Sequence, residues 1–410
     1  MKIAVIGGGA SGMMAALTAA GSGAEAEILE AGTVAGKKIL STGNGKCNLG
    51  NRILSREQYR GSCYFLQEAL ERFGTEDTIR FFESIGLLVK EKNGYLYPLC
   101  EQASAVLDIL RFEIQARKIQ VITGHPVQEI KQGKNGRWLI MTEGKGEEFD
   151  SLILTCGGKA MPNTGSDGSG YLLAKKLGHK IVPVVPALTS LICKEDFFKA
   201  IAGVRTQAKV EVLSKNGEVL CHDEGELQLT DRGISGIPVF QISRYVAYEM
   251  TKKGEVKVRI DLIPEIGNDK EKLKNLIQKR LALREGRSVE ECLTGILPKK
   301  LMTLMIKRAG LRLGDAAMTI KEKDLEGILY ESKHFIVTVK ETGDFKNCQV
   351  CAGGVDCSEV TPDMGSKLAK GIYFAGEILD VDGICGGYNL QWAWTSGFLA
   401  GESASKGRKF

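Results

Sequence analysis

The sequence is poor in the residues that usually announce catalytic chemistry. It holds four histidines in 410 residues, and no Ser/His/Asp set or carboxylate pair stands out, so the catalytic acid or base is unassigned. No apolar run reaches the roughly eighteen residues of a membrane span. Residues 1–6 lead straight into an expected strand, which leaves no room for a signal peptide. A cytoplasmic protein without a membrane partner is therefore expected. Disulfide frameworks are excluded by cysteine usage, because the eleven cysteines are an odd number scattered through a long chain. Metal is not expected either. Cys348 and Cys351 form the close pair and Cys357 follows, but neither a nearby histidine nor a second C-x-x-C supplies a fourth ligand. The net charge of +5 is mild, and the doublets Lys252-Lys253 and Lys299-Lys300 read as solvated faces, so no nucleic-acid partner is expected. Proline is scarce at nine residues, whereas glycine is abundant at fifty, above the usual share of about 7%.

The glycines are concentrated where they carry meaning. Residues 2–6 are a short β-branched apolar run, read as a buried parallel strand. It empties into Gly7-Gly8-Gly9-Ala10-Ser11-Gly12, a G-x-G-x-x-G fingerprint opening an alanine-rich helix over residues 10–20. Gly7 permits the tight turn, Gly9 lets backbone N–H groups approach a pyrophosphate, and Gly12 lets helix and strand pack closely. The helix N-terminus adds partial positive charge. A second strand over residues 24–29 ends in Glu30, near the roughly twenty-residue spacing of a ribose-binding acid. An acid there favours a free 2′-hydroxyl, so FAD or NAD fits better than NADP.

Beyond Glu30, residues 36–48 form a glycine- and lysine-rich loop containing Lys38, Thr42, Gly43 and Gly45, read as a backbone cradle for an anion. Cys47 invites a redox reading, but the second cysteine of a flavin disulfide reductase would fall at position 52, which is Arg52. Residues 62–83 and 102–117 show helical spacing, with a hairpin around Asn93-Gly94 between them. Strands are expected over 119–123, 127–130, 137–142 and 151–156, with Val127 as a candidate to meet an adenine and Gly157 in the turn that closes the last. The loop 164–170 has the wrong order for a second fingerprint, so no separate NAD(P) domain is seen. Short alternating segments between 187 and 262 read as an antiparallel barrel, residues 269–284 and 288–309 as helices, and 334–340 as a returning strand. Residues 371–377 then form an apolar strand ending in Gly376-Glu377, and 383–391 form a second glycine turn through Gly387, Asn389 and Leu390 into a helix.

Taken together, the fingerprint, Thr42-Gly-Asn-Gly-Lys-Cys-Asn48, Tyr97-Pro98, residues 164–170, Gly233-Ile-Ser-Gly236, Ala352-Gly-Gly-Val355 and residues 376–391 resemble the three-domain bacterial flavoproteins that include aminoacetone oxidases and bile-acid dehydro-steroid reductases. The resemblance spans essentially the whole chain. It implies an α/β fold: a Rossmann-type, glutathione reductase-like FAD domain over 1–186 and 345–410, an inserted antiparallel β-barrel over 187–262 and 318–344, and a small helical subdomain over 263–317. It also implies FAD contacts at Gly9, Ser11, Glu30, Lys38, Gly45, Val127, Glu377, Asn389 and Leu390. Cys351 stands where some members carry threonine before Ala-Gly-Gly. The expected activity is hydride transfer between a small or steroid-like molecule and the flavin, with NAD(P)H as reductant or oxygen as acceptor. Acid or base candidates are Tyr388, Arg205, Arg232 or an ordered water, ahead of His222 and His125. Three alternatives stand beside it: an RNA-modifying or RNA-binding flavoprotein, a fumarate reductase- or aspartate oxidase-like enzyme, and a flavin carrier without turnover. Substrate and oligomeric state are not readable.

Overall fold

A computed structural model of the chain describes residues 1–133, 136–142, 145–252, 254–267 and 269–407. Lys253, half of one basic doublet, lies outside them. The opening β-branched run forms the strand Lys2–Ile6, buried on both faces as such a run must be. It is central in a five-stranded sheet ordered Ile372–Phe374, Ser151–Leu154, Lys2–Ile6, Glu25–Glu30, Gln120–Thr123, with every neighbouring pair parallel. Ile3 pairs with Ser151 and Ile6 with Leu154, while Lys2 pairs with Glu25.

The helix Ala10–Gly21 follows directly and buries Ser11, Gly12, Met13, Met14, Ala15, Ala16, Leu17 and Ala19. Burial on so many sides explains why its sequence is alanine-rich rather than amphipathic. Its second partner is the long helix Tyr388–Lys406. Gly397 and Gly401 sit one turn apart on the facing side: a Cβ at 397 would lie 2.5 Å from the Ser11 carbonyl oxygen, and one at 401 would lie 2.4 Å from that of Ala15. The two backbones touch where a side chain would stand.

The chain divides into two compact units, Met1–Val185 with Phe345–Phe410, and Pro186–Asp344. The first also holds a three-stranded antiparallel sheet of Glu129–Gln132, Trp138–Thr142 and Lys145–Phe149. Strand structure begins at Glu129 and not at Val127, which lies in the preceding loop. The helical spacing over 62–83 resolves into two helices, Leu66–Arg72 and Thr75–Ser84, parted at Phe73-Gly74.

The second unit is a closed six-stranded barrel, in the order Leu191–Cys193, Gly233–Ser235, Val219–Leu229, Arg205–Leu213, Val256–Asp261, Phe335–Thr342. Alternation sets its interior: Ala208, Val210 and Val212 face inward from one strand, and Val256, Val258 and Ile260 from the next. Segments 218–222 and 225–230, expected as two strands, are one continuous strand. The helix Ile237–Thr251 packs on this barrel and has no counterpart in the sequence expectations. Helices Lys270–Leu281, Val289–Leu293 and Lys299–Arg308 follow. Asp269 caps the first by accepting from the Glu271 and Lys272 amides at 2.9 and 3.2 Å. A further helix, Glu322–Lys333, lies within the stretch assigned to the barrel and packs on the neighbouring helices.

Candidate functional site

A cavity of about 250 Å³ opens at the carboxyl ends of the strands Lys2–Ile6, Glu25–Glu30 and Ser151–Leu154, the place where open parallel sheets bind ligands. Of the residues singled out in the sequence, Gly7, Gly9, Ser11, Glu30, Lys38, Thr42, Val127, Gly157, Glu377, Asn389 and Leu390 line it. Gly12, Gly43, Gly45, Gly376 and Gly387 do not. Gly12 is placed by packing, since a Cβ there would sit 1.9 Å from the Gly7 carbonyl oxygen. Gly376 has Ser11 against it, and Gly387 has Gly50. Gly43 closes its own loop against the Asn48 amide, and Gly45 faces open space.

Gly9 decides whether a dinucleotide fits. Its φ of −78° is open to any residue, and a Cβ there would meet nothing within 4 Å. The fold therefore does not need glycine at this position. The empty space before it, beside the unpartnered first-turn donors of a helix, suits a phosphate group brought up to the backbone. Glu30 is held ready beside it: Oε2 accepts from the Gly8 amide at 2.8 Å and Oε1 from the Gly32 amide at 2.7 Å. Each carboxylate oxygen keeps a further lone pair for a ribose hydroxyl.

Across the cavity the Lys38 ammonium meets Glu377 Oε2 at 2.7 Å, and Glu377 Oε1 accepts from the Cys351 amide at 2.7 Å. Asn389 closes the second glycine turn on itself, its amide exchanging hydrogen bonds with the Gly383 backbone at 2.8 Å in both directions. Thr155, absent from the sequence candidates, donates to the Gly7 carbonyl at 2.7 Å and fixes the strand end. Cys156, Ser166, Asp167, Gln349 and Val350 also line the wall and were not foreseen. The one available signal was the run of small polar residues over 164–170. Burial, helped by the charges of Glu30 and Asp167, pushes the Cys156 thiol up to about 12, so it is protonated and no nucleophile. Cys47 is likewise pushed up to about 12 by burial and anchors its loop.

None of the proposed acid or base residues lines this cavity. Tyr388 is buried edge-on against Tyr59, ring centroids 5.8 Å apart. Arg205 and Arg232 belong to the barrel unit, where they pair with Glu226 and Glu341 on the surface. His222 lies on a barrel strand opposite Glu211, and His125 is exposed. The structure does assemble a Ser/His/Glu chain the sequence hid. His179 Nε2 lies 2.8 Å from Ser366 Oγ, and Nδ1 lies 3.2 Å from Glu359. Ser366 Oγ is already capped by the Leu368 and Ala369 amides at 3.1 and 2.8 Å, and the His179 side chain is wholly buried. The amides that would stabilise an oxyanion are thus spent on the serine itself, and the chain staples a loop. Among the described residues no group of three or more His, Cys, Asp or Glu could hold a metal, and no helix is long and apolar enough to cross a membrane.

A parallel sheet carrying one glycine fingerprint, an acid held at the end of its neighbouring strand and a second glycine turn on the facing wall, in a chain that also holds a barrel unit, is the arrangement of an FAD-dependent oxidoreductase. The chain belongs to the HI0933-like family, whose Rossmann-domain model matches residues 1–403. It is 44% identical over 409 residues to the 3-dehydro-bile acid delta(4,6)-reductase of Clostridium scindens, covering 99% of each chain. It is 28% identical over 414 aligned positions to the ribosomal RNA dihydrouridine synthase of Haemophilus influenzae, covering 98% of each. The 3-ketosteroid-delta4-(5alpha)-dehydrogenase of Rhodococcus jostii aligns over 98% of this chain and 96% of its own at 14% identity, with a TM-score of 0.44.

Proposed function

We propose that the protein reduces a carbon–carbon double bond conjugated to a carbonyl group in a steroid-like molecule, using NAD(P)H as reductant. The observation that carries this reading is the 44% identity, end to end, to a reductase named for a 3-dehydro-bile acid with double bonds at positions 4 and 6. FAD, when bound, supplies a centre that takes up and gives out a hydride. The chain's own residues bind and orient it. The fingerprint amides and the N-terminus of Ala10–Gly21 take the pyrophosphate, Glu30 takes the ribose, and Gly157, Val127, Thr42, Asn389 and Leu390 form the walls. One fingerprint serves the FAD, so the nicotinamide nucleotide is a transient visitor and not a resident.

The test is anaerobic. Flavin-loaded protein is mixed with NADH or NADPH while the oxidised flavin band is followed, then with a 3-oxo steroid unsaturated at positions 4 and 6. Bleaching by a nicotinamide nucleotide and recovery on adding the steroid, with a product heavier by two hydrogens identified by mass, is the expected result. Recovery that a saturated 3-oxo steroid produces equally well would overturn it.

A second reading has its own support in the relatives named as ribosomal RNA dihydrouridine synthases. The uracil C5–C6 bond is also conjugated to a carbonyl, so the same chemistry serves a different substrate. Dihydrouridine formed in ribosomal RNA, with steep salt dependence of RNA binding, would favour it over the steroid.

A further inference from the structure

The barrel unit carries a cavity of its own, of about 260 Å³, that shares no residue with the one described above. Its lining residues all fall between Lys209 and His334, within the unit Pro186–Asp344. Alternation builds it. The strands Arg205–Leu213 and Val256–Asp261 bury Val210, Val212, Val258 and Ile260 in the barrel, so Lys209, Glu211, Arg259 and Asp261 stand on the opposite face. The antiparallel register sets Lys209 across from Asp261 and Glu211 across from Arg259, and opposite charges alternate around a square. Lys333, the last residue of the helix Glu322–Lys333, joins them.

The two inner carboxylates are spent. Glu211 Oε1 accepts from Lys209 at 2.8 Å, and Oε2 accepts from Arg259 Nη2 and Nε at 2.6 and 2.7 Å. Burial alone would raise the Glu211 carboxyl, but Lys209 and Arg259 hold it below its ordinary value, so it stays charged. Asp261 Oδ1 accepts from the Ile263 amide at 3.0 Å and Oδ2 from Lys333 at 2.7 Å. The cations are not spent in return. These bonds take one donor each from Lys209 and Lys333 and two from Arg259, of the three an ammonium and the five a guanidinium carry. Lys333 is the telling case, because only 7% of its side chain is exposed and a buried ammonium with open donors is costly. Nor does the lysine have to tie helix to strand, since the Leu262 amide already donates to the Ser332 carbonyl at 2.8 Å. His334 Nδ1 lies 2.9 Å from the Tyr330 carbonyl oxygen. That oxygen can only accept, so the ring proton sits on Nδ1 and Nε2 is left as an acceptor. A third carboxylate, Glu224, lines the cavity opposite Lys209 on the next strand and is exposed to water, which screens it.

We propose that this cavity binds a phosphate group, either the free anion or the end of a small phosphate monoester. Three cationic side chains from three elements suit an anion with three or more oxygens better than the two oxygens of a carboxylate. Glu211 and Asp261 act as positioning residues: they hold the cations in place in advance, which removes the ordering cost from the binding step. The His334 Nε2 acceptor suits a singly protonated phosphate, which brings a hydroxyl donor of its own.

The experiment is isothermal titration calorimetry on the full chain with FAD at saturation, which keeps phosphate out of the glycine fingerprint. Inorganic phosphate and glycerol phosphate are titrated separately, in chloride buffer of constant ionic strength. Saturable binding is expected, and Lys209→Met and Lys333→Met should each weaken it about tenfold, as loss of a charge-assisted hydrogen bond does. Lys194→Met removes a barrel cation that pairs with Glu255 and does not line the cavity, and should leave binding unchanged. Should Lys333→Met fail to fold, with Asp261 deprived of its partner, Lys209→Met decides: 36% of the Lys209 side chain is exposed, and Glu211 keeps Arg259 when it is lost. Tighter binding of inorganic phosphate identifies the free anion as the occupant, and tighter binding of glycerol phosphate a phosphorylated small molecule; either upholds the site. No saturable heat from either ligand, or wild-type affinity in Lys209→Met, would overturn the proposal. So would an equal loss in Lys194→Met, which would show that phosphate reads only the general charge of the barrel.

Discussion

Replacing Gly397 by Ala should strike the cofactor site from behind. The new methyl carbon would stand 2.5 Å from the Ser11 carbonyl oxygen and 3.0 Å from Met14 Cβ. Neither neighbour is the free end of a flexible chain, so the helix Ala10–Gly21 must retreat. Alanine regains roughly 1 kcal/mol of helix propensity over glycine, and overpacking costs about 1–3 kcal/mol. At so short a distance the upper part of that range applies, leaving a net loss of about 1–2 kcal/mol. For a unit of this size that lowers the melting temperature by roughly 2–8 °C. Because Ser11 lies in the first turn, the displaced amides also move away from the phosphate they are proposed to hold, and FAD affinity should fall about five- to tenfold. Gly401→Ala meets Ala15 instead, at 2.4 Å, one turn further from the fingerprint. It should cost similar stability and much less affinity. Differential scanning calorimetry and flavin titration on both variants give the comparison. Unchanged melting and affinity in Gly397→Ala, or equal affinity losses in the two variants, would refute the argument.

Glu30→Ala strands the Gly8 and Gly32 amides and removes the proposed ribose acceptor, so FAD affinity should drop by about ten- to a hundredfold; Glu30→Gln, with one acceptor oxygen for two amides, should fall between, and equilibrium titration reads both. His179 gives a pH prediction. Burial lowers its pKa, against the opposing pull of Glu359, so below its ordinary value of about 6.5 the unfolded chain binds the proton more readily than the fold. Its contribution is fully present above that pH and is lost as pH falls through the window beneath it. Urea midpoints at pH 7.5 and 5.5 should therefore lie further apart in wild type than in His179→Gln, and equal separations would contradict the assignment.

The fingerprint side of the cavity is legible in sequence because its parts are local: strand, glycines, helix and Glu30 lie within thirty residues of one another, and each obeys a short-range rule. The facing wall is not. Ser11 meets Ala375 from 364 positions away, and His179 meets Ser366 from 187, and spacing carries no information at that range. The helix Ile237–Thr251 escaped notice for another reason. It begins after a three-residue strand and a glycine, with proline in its first turn, and glycine and proline mark turns as readily as helix starts. Phe73-Gly74 misled in the opposite sense, its break between two helices being masked by apolar spacing that continues across it. Val127 was placed on a strand and lies in a loop, yet it faces the cavity all the same.

The contact between Ala10–Gly21 and Tyr388–Lys406 also orders events in time. The fingerprint is synthesised first, but the strand Ile372–Phe374 and the helix that brace it emerge only after the whole barrel unit. Until then the glycine loop lacks its backing, and the chain must close a loop of several hundred residues, slow to find and costly in entropy. The barrel unit has its own closed sheet and core, so it is expected to fold meanwhile. Flavin capture is therefore expected to come late in biogenesis. A ribosome-arrested chain stopped before residue 372 should hold a folded barrel and remain colourless.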